Sequence, residues 1–213
     1  MRKANPPDLK GAFGVWLSES DARGRRQPPG EVLQGEHYLM ESVLRSMEAE
    51  LEHMLAGASL RTDFWGDVID FNGNFVHLCH RVKEEDHLIP ALVECQLIDA
   101  DQHEGIQREH DRAKDLTLAI RDGVEEGDWE KVLRLVALYS QFLRPHMRRE
   151  EDEAFLLAAT ELPPEVSDEI RARFDRVDAA ALGASGRVGY VDLARRLTAL
   201  AGVEYDLTSP SNP

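Results

Sequence analysis

Two stretches of the chain repeat one pattern of chemistry. His80-Arg81-Val82-Lys83-Glu84-Glu85-Asp86 and His146-Met147-Arg148-Arg149-Glu150-Glu151-Asp152 both read His-x-x-basic-Glu-Glu-Asp. A Glu-His pair precedes each copy, Glu36-His37 and Glu109-His110, so the order EH, HxxxE runs twice along the chain. Residues i and i+4 of a helix lie on one face about 6 Å apart along the axis, so His80 with Glu84 and His146 with Glu150 can each address one inner point. A lone histidine on an apolar stripe is usually a hydrogen-bonded core residue. Burying four imidazoles and two carboxylates without compensating charge is costly, which makes a cation among them the economical explanation. No thiolate is placed to contribute, and mixed imidazole and carboxylate donors suit iron or manganese rather than structural zinc.

Helices must carry these groups. From Glu31 the apolar period is helical: Leu33, His37, Met40, Leu44, Met47, Leu51 and Met54 form one stripe that places His37 inward, and Gly57 follows as a terminator. This predicts a first helix over 31–57. A second, over 62–94, opens on Phe64, Val68, Phe71 and Phe75 before the first HxxxE. On an ideal wheel His80 is about 140° from Phe75, so a broad or twisted buried face is needed. Pro90 is expected to disturb the end of this helix. A third helix over 97–124 presents Ile106, His110, Ala113, Thr117, Ile120 and Val124 on one stripe. Asp128 is positioned to cap a fourth, in which Val132, Val136, Tyr139, Leu143, His146, Glu150 and Leu157 share a stripe and Pro145 is expected to introduce a kink.

Strand patterning is absent. Short Gly-containing links between long helices predict an all-α fold, an up-down-up-down antiparallel four-helix bundle over 31–160. Residues 1–30, rich in Pro and Gly, read as an extended arm in which Phe13, Val15, Trp16 and Leu17 could pack on the bundle. Residues 161–205 read as a helical extension with short helices near 165–182 and 188–201 packed outside the bundle, and 206–213 as a disordered tail.

The motifs LQGEHYLMESVL, FVHLCHRVKEEDHLIPAL, REHDRAKDLTLAI and FLRPHMRREEDEAFL together resemble the hemerythrin-like (HHE cation-binding) family, four-helix bundles with a non-haem di-iron centre, over about residues 31–160. The resemblance implies metal ligands at His37, His80, Glu84, His110, His146 and Glu150. It also implies two non-haem iron ions, with manganese as the alternative, joined by an oxo or hydroxo bridge. The implied partner is a small diatomic molecule or peroxide: oxygen, peroxide or nitric oxide, bound or turned over in oxidative-stress defence. Catalase-like peroxide disproportionation is the enzymatic version, and a non-enzymatic sensor or store of oxygen, nitric oxide or iron is the rival. A metal-free structural bundle is a third reading. Oxygen-carrying members of the similar family place a further ligand histidine where this chain has Ile106, so both metals are expected to keep an open position, in a more symmetric pair. A ferritin-like cage is disfavoured because it uses Glu-x-x-His motifs.

Other residues near the motifs carry two readings each. His77, three residues before His80, is either a fifth imidazole or a core residue. His103 lies about 10.5 Å of helical rise from His110, too far to share its ion, which leaves a supporting or entry role against a bland core or surface role. Tyr139 is either core or a hydrogen-bond donor towards the site. Glu85 and Glu151 read as solvated outer-face groups, one of which could orient a histidine, and Lys83 and Arg149 as screening charges.

The 213 residues suffice for one self-supporting core. Forty acidic against 25 basic residues give a net charge of −15, which repels nucleic acid and anionic membranes. Cys79 and Cys95, 16 positions apart in one expected helix, are about 24 Å apart by helical rise and cannot bridge. With no long apolar run and no secretory leader, the chain is expected to be soluble and cytoplasmic, with no membrane partner.

Overall fold

The computed structural model describes residues 27–203. It is all-helical, with no strand among the described residues. The chain forms α1 (Pro29–Leu55), α2 (62–94), α3 (Ala100–Glu126), α4 (129–160), α5 (Pro164–Ala181) and α6 (Gly186–Ala201), with a single 3₁₀ turn, Gly183–Ser185, before α6. Helix α2 is composite: α-helical Thr62–Asp70, π-helical Phe71–His80, α-helical Arg81–Lys83, π-helical Glu84–Leu88 and α-helical Ile89–Glu94. In α4, regular turns over Trp129–Glu150 and Leu156–Thr160 flank a π-helical Glu151–Phe155.

Local chemistry sets the boundaries. Pro29 starts α1 two residues before the expected start, at a position where its missing N–H costs nothing. Gly57 and Gly127 adopt φ of 99° and 68° and close α1 and α3 with paired backbone bonds, Ala58 N to His53 O and Asp128 N to Gly123 O. Asp99 and Gln102 cap each other at the start of α3, and Asp128 accepts from the Lys131 amide at the start of α4. The cysteines are free.

The π turns resolve the mismatch between Phe75 and His80. An i→i+5 turn advances roughly 85° per residue instead of about 100°, so five residues bring His80 to within about 65° of Phe75's face. Both side chains are buried. The second π segment lies just ahead of Pro90, and the helix then resumes through Glu94. At Pro145 the expected kink does not break α4, which stays α-helical from Trp129 to Glu150.

Two apolar clusters flank a polar layer. One joins Met40, Val43 and Met47 of α1 to Phe71 and Phe75, Ile120, Val136 and Leu143. The other joins Val32 and Leu33 to Leu88, Leu92, Ala154 and Phe155. His37, His80, Glu84, His110, His146 and Glu150 are all buried between them. An Arg144 fork spans from α4 to α1, bonding Glu48 through both terminal nitrogens at 2.8 Å and Glu41 through Nε.

The C-terminal helices pack against the four long helices. Val191, Ala194, Leu197 and Ala201 of α6 share the first cluster, and Ile170 and Phe174 of α5 the second. Their apolar stripes complete the core. The expected N-terminal arm, including Phe13 to Leu17, and the 206–213 tail lie outside the described residues except for the arm's last four positions, 27–30.

Candidate metal centre

Six side chains predicted from spacing converge, from four helices. His37 comes from α1, His80 and Glu84 from α2, His110 from α3, and His146 and Glu150 from α4. They form two triads able to hold a metal ion, His37–His80–Glu84 and His110–His146–Glu150. The glutamates face both halves. Glu84 Oε1 lies 3.1 Å from His80 Nε2 while its Oε2 lies 3.2 Å from His110 Nε2. Glu150 Oε1 is 3.1 Å from His110 Nε2, and its Oε2 is 3.2 Å from His146 Nε2 and 3.6 Å from His37 Nε2.

Each histidine turns its other nitrogen outward to a carboxylate. His37 Nδ1 donates to Glu151 at 3.0 Å, His80 Nδ1 to Glu36 at 2.9 Å, His110 Nδ1 to Glu85 at 2.7 Å and His146 Nδ1 to Glu109 at 2.8 Å. An ionised carboxylate only accepts, so each Nδ1 carries a proton and each Nε2 is left pointing inward. His37 Nε2 and His80 Nε2 are 3.1 Å apart. Both oxygens of Glu84 and Oε2 of Glu150 are buried without a hydrogen bond, although imidazole nitrogens stand within 3.2 Å. Three buried carboxylate oxygens without a partner, crowded by inward ring nitrogens, are what a cation between them would satisfy. The donor set therefore fits a pair of cations.

Protons and cations compete for the same lone pairs. Burial alone pushes His80 down, but Glu84 and Glu36 outweigh it and raise it to about 9. Glu84 is held well below the ordinary carboxylate range because His80 and His110 outweigh its burial. Metal loading releases such protons.

The four outer carboxylates form a cycle that sequence inspection missed in all but outline. Glu36 beside His37 serves the histidine of α2, Glu85 beside Glu84 that of α3, Glu109 beside His110 that of α4, and Glu151 beside Glu150 that of α1. Glu85 and Glu151 are thus orienting groups, not solvated outer-face charges. The readable signal was that each is the chain neighbour of a predicted ligand.

Lys83 and Arg149, equivalent in the repeat, diverge in space. Arg149 is half exposed and donates to Glu109. Lys83 is fully buried, paired with Glu36 and, at 2.5 Å, with Asp178 of α5. Arg187 of α6 adds a 2.6 Å pair to Asp178, and the Cys79 thiol donates to Asp178 at 3.1 Å. Burial would push Glu36 up; Lys83, His80 and Arg187 together hold it at about 2. Glu36, Cys79 and Asp178 approach one another closely enough to hold an ion, but the Lys83 ammonium already bonds both carboxylates.

A cavity of about 160 Å³ is lined by Gly105, Ile106, Glu109, His146, Arg149 and Glu150, so it reaches the second triad. The remaining histidines stand apart from the ligand set. His77 donates from Nε2 to Thr117 Oγ1 at 3.2 Å, since the Thr117 hydroxyl is spent on the Ala113 carbonyl. His103 belongs to neither triad, and its Nε2 has no hydrogen-bond partner. Tyr139 is buried in the first apolar cluster; its hydroxyl lies near Thr117 but makes no well-directed hydrogen bond.

Residues 28–158 match the family model described as the hemerythrin HHE cation binding domain. No curated protein and no solved structure matches the chain.

Proposed function

Because the chain belongs to the hemerythrin HHE cation-binding family, we propose that it is a non-haem di-iron protein that binds or turns over oxygen, peroxide or nitric oxide, in oxidative-stress defence. The observation that carries this reading is the set of four inward Nε2 atoms around unpartnered oxygens, both of Glu84 and Oε2 of Glu150, each imidazole backed by its own carboxylate. His37 and His80 would hold one ion and His110 and His146 the other, with Glu84 and Glu150 spanning both. We also infer the up-down-up-down topology. In its support, α1 and α3 enter at the cluster containing Val32 and Ile106 and leave through the other, while α2 and α4 run in the reverse order.

A bound iron pair would supply electron exchange with a small oxidant. The chain's own residues do the rest. Glu36, Glu85, Glu109 and Glu151 fix the rings and hold a proton on each outer nitrogen. The apolar clusters exclude bulk water. Ile106 and Gly105 leave space beside His146 and Glu150 that admits only a small molecule.

Metal analysis of the purified chain, with absorption spectra recorded with and without air, tests the reading. Two irons per chain and an oxygen-dependent spectrum are expected; a stoichiometry near zero after iron reconstitution refutes it. Oxygen release from peroxide over many turnovers supports catalase-like activity, whereas a single stoichiometric spectral change supports the sensor or store.

A further inference from the structure

A groove between α2 and α3 lies outside the ligand set just described and shares Glu85 with its outer carboxylates. Its volume is about 420 Å³, within the range of small-molecule sites. Val82 and Leu118 contribute an apolar wall, and Leu78 at its lip is 56 % exposed. Arg81, Lys114 and Arg121 line it with one carboxylate, Glu85, in a chain whose acids outnumber its bases by 40 to 25; Arg81 also pairs with Asp111 at 2.7 Å and Arg121 with Asp122 at 2.8 Å, which leaves Lys114 as the uncommitted cation. Lys114 is exposed and forms no ion pair among the described residues. Burial, with Arg81 and Lys114 close by, holds His77 in the same wall down at about 4, as a cationic neighbourhood demands.

The groove also touches the centre. Glu85 Oε1 accepts from Arg81 Nε at 2.9 Å and from His110 Nδ1 at 2.7 Å, so one oxygen is shared by the groove's guanidinium and a histidine of the inner set. An anion that draws Arg81 away leaves more of that oxygen's charge on the imidazole.

We propose that this groove binds a small organic anion with an apolar body, a carboxylate or phosphate head on Arg81 and Lys114 and an aliphatic or aromatic tail along Val82 and Leu118, and that its occupancy is felt at His110 through Glu85. The second half rests on the reading of His110 as a metal ligand; the first does not.

Calorimetric titration of the full chain with octanoate tests the site, with octanol and inorganic phosphate as probes of each half of the chemistry. One octanoate per chain is expected, at least tenfold tighter than either control. Lys114→Glu should weaken it tenfold or more while melting as the wild type does. Leu118→Asn should weaken octanoate and leave phosphate unchanged. Binding of all three probes alike, or octanoate binding indifferent to Lys114→Glu, overturns the site; phosphate binding as tightly as octanoate reduces it to an adventitious anion site and overturns the apolar half. The same titration on metal-free protein should give the same affinity within about threefold, so a failure to bind iron leaves this arm standing. In iron-loaded protein, an unchanged visible spectrum at saturating octanoate overturns the coupling to His110.

Discussion

Replacing Lys83 by Met keeps the length of the side chain and removes its charge. The ammonium is fully buried between Glu36, also fully buried, and Asp178, whose side chain is 15 % exposed. Deleting one partner of a buried charge pair costs about 3–5 kcal/mol, because the other is left uncompensated. Arg187 remains 2.6 Å from Asp178 and 3.9 Å from Glu36, so part of the compensation survives and the lower end, about 3 kcal/mol, is expected. For a chain of this size that is a fall in Tm of about 6–12 °C. Scanning calorimetry of the metal-free protein measures it without interference from ligand linkage. Asp178→Asn alone should also destabilise, whereas Lys83→Met/Asp178→Asn should lose less than the sum of the single changes, by about 1–2 kcal/mol of coupling. A Lys83→Met protein melting within about 2 °C of wild type, or strictly additive losses, would refute the view of Lys83 as the clamp that ties α5 and α6 to the His80 half of the site.

Gly30→Ala should cost about 1–3 kcal/mol in urea unfolding, because a Cβ there overlaps the Phe155 carbonyl and backbone must shift. Gly66→Ala, where a Cβ meets nothing, should gain up to about 1 kcal/mol in the same assay from helix propensity. Between pH 6.5 and 4 the unfolded chain protonates its His77 before the folded chain does, so stability falls as pH falls; His77→Gln should flatten that part of the stability profile by about 2–3 kcal/mol. Glu85→Gln and Glu109→Gln should each weaken metal retention by about 10–100-fold in competition with a chelator, with the helical circular dichroism unchanged. Ile106→Trp should fill the cavity beside His146 and slow azide binding to the iron-loaded protein at least tenfold in stopped flow, while iron content stays the same.

The convergence of the six inner residues is legible in the sequence, because a helix fixes which spacings share a face. His37 and His110 fall on clean apolar stripes, and the two HxxxE pairs need only the i, i+4 rule. Helix ends were legible for the same local reason: Gly57, Gly127 and Asp128 act through their own backbone or their immediate neighbours.

Partnerships across the bundle were not. Glu36 was visible as half of a Glu-His pair, but its place behind His80, 44 residues away, depends on how α1 and α2 pack. Lys83 and Arg149 are equivalent in the repeat, yet one is sealed inside by Asp178 and Arg187 and the other is half exposed, since the C-terminal helices cover α1 and α2 around Lys83. That covering, which encloses Lys83 but not Arg149, makes the two halves unequal where the sequence repeat suggests a symmetric pair. The π turns belong to the same class, since a side chain can be brought to the shared face by a local change of helical register that residue types alone do not announce. Local spacing decided which inner residues share a face; packing across the bundle decided which carboxylate backs each histidine and which half of the repeat is covered by the C-terminal helices.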